Sequence, residues 1–240
     1  MLNAIEFING LLSLIFILIS LLVGITIAQK YWKNKERIYI LVGFSWMGMA
    51  TPWFPSSSSF LAILITGKGL ILELRLFIAI FFIPFTILFW LTAFTDLLYK
   101  KKQKTILIIF GIFGAVFDCF FLYFLFTKSS FIGNDVGSID VNYGLFVNFY
   151  LITLLIIIII TGTLFARASL KLDIAEMNMR GKLLLIAFYS FVIGSILDLF
   201  SVLSVILLIL ARLILISSAI EFYFSFDLPK WIKKSLIKKK

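Results

Sequence analysis

Residues Leu183 to Phe226 read LLLIAFYSFVIGSILDLFSVLSVILLILARLILISSAIEFYFSF, 44 residues with three formal charges, Asp198, Arg212 and Glu221. One helix crosses the hydrocarbon of a bilayer with about 20 apolar residues, so this stretch is two spans joined by a tight turn. The least apolar place to turn is Asp198-Leu-Phe-Ser-Val-Leu-Ser204. Arg212 then lies roughly ten residues down the second span at ~1.5 Å per residue, near the middle of the membrane. An arginine there costs about 2.5–3.5 kcal/mol on insertion scales unless something receives it. The rest of the chain is the scaffold that receives it.

Outward from this hairpin, composition points the same way. Of the 240 residues 62% are apolar, 17% aromatic and 14% charged, with a mean hydropathy of +1.13. Soluble domains are about half apolar and a quarter charged, so the chain is a membrane protein. There is no histidine, which removes the commonest metal ligand and the usual general base near neutral pH. A single cysteine, Cys119, excludes an internal disulfide and a thiolate zinc cluster. No cofactor and no metal are expected. The first apolar run is too long for a signal-peptide core and is followed by Lys and Arg, so no cleavable signal is expected.

Seven spans follow in order. Span 1 is Phe7–Ala28, with Asn9, Ser13, Ser20 and Thr26 as ordinary polar content. Span 2 starts at Ile38 and is stopped near Phe54 by Thr51-Pro-Trp-Phe-Pro55, because proline removes a backbone donor. Ser56–Ser59 reads as a polar loop, and Phe60–Thr66 as an interfacial or re-entrant piece too short to cross. Span 3, Leu70–Leu98, holds Pro84 near its middle, which predicts a kink. Span 4 is Thr105–Phe126 with Asp118 inside it. The turn-rich segment Thr127–Asn142 reads as a loop. Span 5 is Tyr143–Ala166, followed by a basic loop, Arg167–Lys182, with a short helix near Asp173–Glu176; spans 6 and 7 are the opening hairpin. Ser190-x-x-x-Gly194 in span 6 is a small-xxx-small pattern for close helix contact. Residues 1–229 form one transmembrane domain and 230–240 a basic tail.

The net charge of +10 suits nucleic acid in principle, yet its distribution follows topology. Lys30–Arg37, Lys100–Lys104, Arg167–Lys182 and Lys230–Lys240 hold 18 of the 22 Lys and Arg. Seven spans put all four clusters on one side. The positive-inside rule then gives an outside N-terminus and a cytoplasmic C-terminus. Reading Leu183–Phe226 as one span would leave the lysine tail outside. The expectation is an all-α bundle of seven transmembrane helices in the cell membrane, its tail lysines on anionic headgroups and no nucleic acid partner.

Counted from the surfaces, the charges fall in three layers. Glu73, Arg75 and Asp198 lie near the outer side, Asp118 and Arg212 at mid-depth, and Asp96, Arg167 and Glu221 near the inner side. Depth predicts an Asp118–Arg212 pair, with Asp198 as the alternative acceptor. Such a pair either fixes helix register or marks a polar cavity for a solute or proton. The outer set is either a solvated rim or a ligand vestibule closed by Phe60–Thr66. Glu73, Arg75, Asp118, Asp198 and Arg212 are therefore the candidate ligand-binding residues, and no catalytic residue is expected.

Known intramembrane chemistries do not fit. Metallo-hydrolases and histidine-ligated haem need histidine, and neither Gly-x-Ser-Gly nor Gly-x-Gly-Asp is present. A retinal pigment needs a lysine in its last span, where this chain has Arg212. A G-protein-coupled receptor carries an acid–Arg pair at the inner end of span 3, where this chain reads Phe94-Thr-Asp-Leu-Leu-Tyr99. The small seven-span sugar carriers carry prolines in both halves, unlike Pro52, Pro55, Pro84 and Pro229 here.

A resemblance does stand on four motifs: Arg180-Gly-Lys-Leu-Leu-Leu-Ile-Ala-Phe188, Phe191-x-x-Gly194-x-x-x-Asp198, Arg212-Leu-Ile-Leu-x-Ser-Ser218 and Phe222-Tyr-x-x-Phe226-x-Leu-Pro229. In these the chain resembles a group of uncharacterised archaeal seven-span membrane proteins. That group is similar in layout to the seven-span N-terminal regions of sensor histidine kinases. The resemblance implies a sensory or ligand-responsive module, here without the kinase output domain. The expected function is a non-enzymatic, receptor-like membrane protein with a pocket open to the outside and a cytoplasmic signalling partner. The alternatives are a small-solute or proton-coupled transporter using Asp118 and Arg212, and a structural or lipid-interacting protein.

Overall fold

A computed structural model describes residues 2–200 and 204–237, with side-chain surroundings to residue 233. Eleven helices make up nearly all of the described chain, and six stretches are long and apolar enough to cross a membrane: Ala4–Asn34, Leu72–Leu98, Lys100–Thr127, Leu145–Leu170, Ala175–Leu199 and Val205–Phe226. The protein is thus all-α and of multi-pass membrane character. Large apolar side chains face outward along these helices, Phe126 at 80% and Leu145 at 89% exposure among them. Water would not tolerate so wide an apolar surface, whereas lipid matches it.

The first helix, α1 (Ala4–Asn34), starts on a capping box in which Asn3 and Glu6 satisfy each other's backbone N–H groups. Two shorter helices run back along it, α2 (Ile38–Met49) and α3 (Phe54–Thr66), joined by a 3-10 turn at Thr51–Trp53. Gly24 lies against the Gly43 carbonyl at one end of α1, and Gly10 lies under the Phe60 ring at the other. The broken segment therefore retraces the length of α1. This corrects two expectations. Ser56–Ser59 is not a loop but the first turn of α3, and Phe60–Thr66 is its continuation. Pro55 sits at the start of α3, where its missing N–H costs nothing. Ser57 and Ser58 donate to the Phe54 carbonyl, tying the hydroxyls to their own helix.

The kink expected at Pro84 takes the form of a break between two helices. Helix α4 (Leu72–Ile80) ends two residues before α5 (Ile83–Leu98), and Pro84 occupies the opening turn of α5. Next come α6 (Gln103–Thr127) and the short α7 (Ser129–Ile132). The expected loop Thr127–Asn142 then gives way to an antiparallel hairpin, β1 (Gly133–Val136) with β2 (Asp140–Tyr143), in the register Gly133↔Tyr143 to Val136↔Asp140. Its turn uses Gly137 at a φ of +62°, a conformation that costs glycine nothing. A side chain there would also strike the Glu6 carboxylate, 2.5 Å from an ideal Cβ. Turn residues alone do not distinguish a loop from two four-residue strands, and the pairing is what tertiary contact added.

Helix α8 (Leu145–Leu170) outlasts the expected end of span 5, and α9 (Ala175–Leu199) starts early. The expected basic loop Arg167–Lys182 shrinks to four residues, because its charges ride on helix ends. The opening hairpin is α9 and α10 (Val205–Phe226), α9 ending and α10 beginning at the two edges of the expected Asp198–Ser204 turn. Its residues 201–203 lie outside the described ones, as do 238–240 of the tail. Gly194 lets α9 close on Leu215 and the Ala211 carbonyl of α10. Helix α11 (Lys230–Ile237) places Trp231 outward and Ile232 inward.

Polar contacts collect at the two ends of the bundle. At one end Arg37 bonds both oxygens of Asp96, and Lys100 and Gln103 join it. Lys30 and Arg180 there cap the Phe226 carbonyl. The described residues of all four basic clusters lie at this end. The other end carries the β-hairpin.

Candidate functional site

Arg212 is 1% exposed, one of the largest fully buried side chains. Its Nη1 donates to Asp198 Oδ1 at 2.7 Å, while Nη2 and Nε donate to Asn9 Oδ1 at 2.9 and 3.3 Å. The expected Asp118–Arg212 pair does not form, and Asp198, the alternative acceptor, takes the guanidinium. The cause is direction. Cβ atoms lean toward a helix's N-terminus, and α10 starts at the hairpin end, so the long side chain reaches up to the last turn of α9. Asp118 stays on α6, half-buried, with Oδ1 unpartnered.

The network continues past Asn9. Asn9 Nδ2 donates to Asp140 Oδ2 at 2.9 Å, and Ser13 Oγ donates back to Asn9 Oδ1. Asp140 Oδ1 accepts from Ser56 Oγ at 3.0 Å and from the Val141 N–H. Trp53 Nε1 holds the second oxygen of Asp198 at 2.8 Å. Six separate elements thus converge: α1, the 3-10 turn, α3, β2, α9 and α10.

The hairpin is clamped over this cluster. Arg75, 3% exposed, donates to the Asp140 carbonyl at 3.1 Å and pairs with the Asp135 carboxylate. Glu6 accepts from the Ser138 N–H at 2.6 Å. Tyr143 donates to the Pro52 carbonyl at 3.1 Å. Burial, helped by the nearby Asp140 and Asp198 carboxylates, pushes the Tyr143 hydroxyl far above the usual phenol range. It stays a neutral donor and acceptor. Glu73 is bound by Ser129 at the same end.

Under the hairpin lies a cavity of about 120 Å³ whose polar wall is Trp53, Ser56, Asp140, Asn148, Asp198 and Arg212. Its opposite wall is apolar, with Ile83, Ile87, Leu154, Ile158 and Phe191. That volume holds several waters or a small ligand, a water needing roughly 10–15 Å³ on this measure. A wider recess of about 400 Å³ lies on the other side of Asn9 and Asp140, between Glu6, Gly137 and Leu208. One turn below the cavity, Trp46, Trp90 and Phe188 close the core, each at most 1% exposed. Trp46 stacks on Phe222 at 3.9 Å, and Trp90 donates to Thr161 at 2.7 Å.

Of the five candidates, Asp198 and Arg212 line the cavity, Arg75 holds its roof, and Glu73 and Asp118 stand apart from it. The residues that sequence reasoning missed are Asn9, Trp53, Ser56, Asp140 and Asn148. Asn9 and Ser56 had a usable signal: polar residues in an apolar helix generally face protein. Asp140 had none, because its place depends on the strand pairing. Among the described residues no cluster of His, Cys, Asp and Glu could hold a metal ion. No family model, no curated protein and no solved structure matches the chain.

Proposed function

We propose that the protein is a receptor-like membrane module that binds a small ligand beneath its outer hairpin and acts without catalysis. The bilayer is crossed seven times, the broken α2–α3 segment supplying the seventh pass, because it retraces α1. The N-terminus is outside and the C-terminus cytoplasmic, since the described residues of every basic cluster gather at the end opposite the hairpin. The cell membrane is the setting. The lysines of α11 and the tail rest on anionic headgroups, and a cytoplasmic partner reads the inner ends of α8 and α9.

One observation carries this reading: a guanidinium buried to 1%, held in the wall of a cavity rather than in dry packing. Ionisable groups at depth are costly and mark sites. The aromatic layer of Trp46, Trp90, Phe188 and Phe222 beneath the cavity favours a receptor over a carrier, because it shuts the route to the inner end.

The test compares two outcomes. Neutralising Arg167, Lys171, Arg180 and Lys182 should abolish co-purification of a soluble partner from native membranes. Proteoliposomes should accumulate no member of a panel of labelled small cations, anions and neutral solutes. Specific accumulation of any of them would overturn the receptor reading in favour of transport.

A further inference from the structure

Three charged side chains line the cavity, Asp140, Asp198 and Arg212, beside the neutral Tyr143 hydroxyl. Arg212 and Asp198 neutralise each other at 2.7 Å. Asp140 is different. It is held by an amide, a hydroxyl and a backbone N–H, and among the described residues no Lys or Arg nitrogen lies within ion-pairing distance of its carboxylate. Arg75 touches only its main-chain carbonyl. Asp140 is partly buried, and a carboxylate even partly withdrawn from water without a counter-charge is a favourable place for a cation.

The neutral groups lean the same way. Asn148 lines the cavity, and its Oδ1 is buried with no donor, while its Nδ2 already serves the Tyr143 carbonyl. Ser56 and Ser195 spend their protons on Asp140 and the Phe191 carbonyl, and Thr86 spends its own on Phe82. What these hydroxyls offer a ligand is lone pairs. The polar wall is therefore rich in acceptors and carries one net negative charge. The facing wall of Ile83, Ile87, Leu154 and Ile158 is apolar.

We infer that the cavity takes a small amphiphilic cation, an ammonium head on Asp140 and Asn148 Oδ1 with a short hydrocarbon tail along α5 and α8. The inference rests on the ligand-binding reading above and names the ligand's chemical class. An ammonium supplies three donors and the missing positive charge. A carboxylate or phosphate head would find only the spare N–H groups of an Arg212 already paired with Asp198, and would meet Asp140 and a row of acceptors.

The test titrates the protein in zwitterionic nanodiscs with three homologous series, n-propyl- to n-hexylamine, propionate to hexanoate and propanol to hexanol. The amines should bind saturably and the carboxylates should not. Affinity should rise about fourfold per methylene until the tail fills the apolar wall. Asp140→Asn should weaken amines at least ~10-fold, the loss of a charge-assisted bond, and leave alcohols unchanged. Asn148→Leu gives a second reading should Asp140→Asn fail to fold. Carboxylates that match the amines, or amines indifferent to both substitutions, would overturn the cation and leave the ligand site standing. No saturable binding in any series would overturn the ligand site as well.

Discussion

Replacing Asp198 by Asn removes one charge and almost no volume, so it isolates the electrostatics around Arg212. The guanidinium is 1% exposed and Asp198 is its only ion-pair partner among the described residues, at 2.7 Å, with 21% of the aspartate side chain open. Breaking a buried pair by removing one member costs about 3–5 kcal/mol. The partly open aspartate places the cost at the lower end, about 3 kcal/mol. Arg212→Met should cost a similar ~3 kcal/mol, because it strands Asp198 with Trp53 alone and empties two bonds on Asn9. The double substitution removes both charges together. It should cost about 3–4 kcal/mol rather than 6, a coupling of roughly 2–3 kcal/mol. At about 2–4 °C per kcal/mol for a chain of this size, each single variant should lower Tm by roughly 6–12 °C in nanodiscs. Asp118→Asn is the control. Its carboxylate has an unpartnered oxygen, so it should change stability by less than about 1 kcal/mol. Additive single variants, or an Asp118 variant as damaging as the Asp198 one, would refute the pairing.

Other consequences follow from the packing. Gly43→Ala puts a Cβ 2.5 Å from the Gly24 carbonyl, and backbone yields poorly, so thermal unfolding should show a loss of about 1–3 kcal/mol. Arg75→Met frees the hairpin from Asp135 and the Asp140 carbonyl; hydrogen exchange across 133–143 should accelerate while α9 and α10 keep their protection. Asp96→Asn cuts contacts to Arg37 and Lys100, whose side chains are 59% and 62% exposed. The loss should stay near 0–1 kcal/mol per pair, and raised salt should shrink it.

How much was legible depended on whether a property was local. The hydrophobic run Leu183–Phe226 and its polar interruption gave the α9–α10 hairpin, since span length is set by membrane thickness. Pro84 gave the break between α4 and α5 for the same local reason. Thr51–Pro55 reads as an end because proline stops a helix, yet Pro55 opens one, and only the Phe60–Gly10 contact shows that the chain carries on. Arg212 was legible as a buried cation but not its partner: counting Cα depth favoured Asp118, while the lean of the side chain toward the start of α10 selects Asp198. Asp140 was invisible, because a carboxylate in a turn-rich segment becomes a cavity wall only once β1 and β2 pair and Arg75 ties them down.

The cavity's opening to the outside is tested most directly by a single cysteine at Ser56, in a Cys119→Ala background, on intact cells. Ser56 is 2% exposed and lines the cavity beside Asp140. A membrane-impermeant cationic methanethiosulfonate added outside should modify it, faster than the anionic reagent of similar size. Modification only from the cytoplasmic face of inverted vesicles, or none from either face while the unfolded chain reacts, would contradict the account.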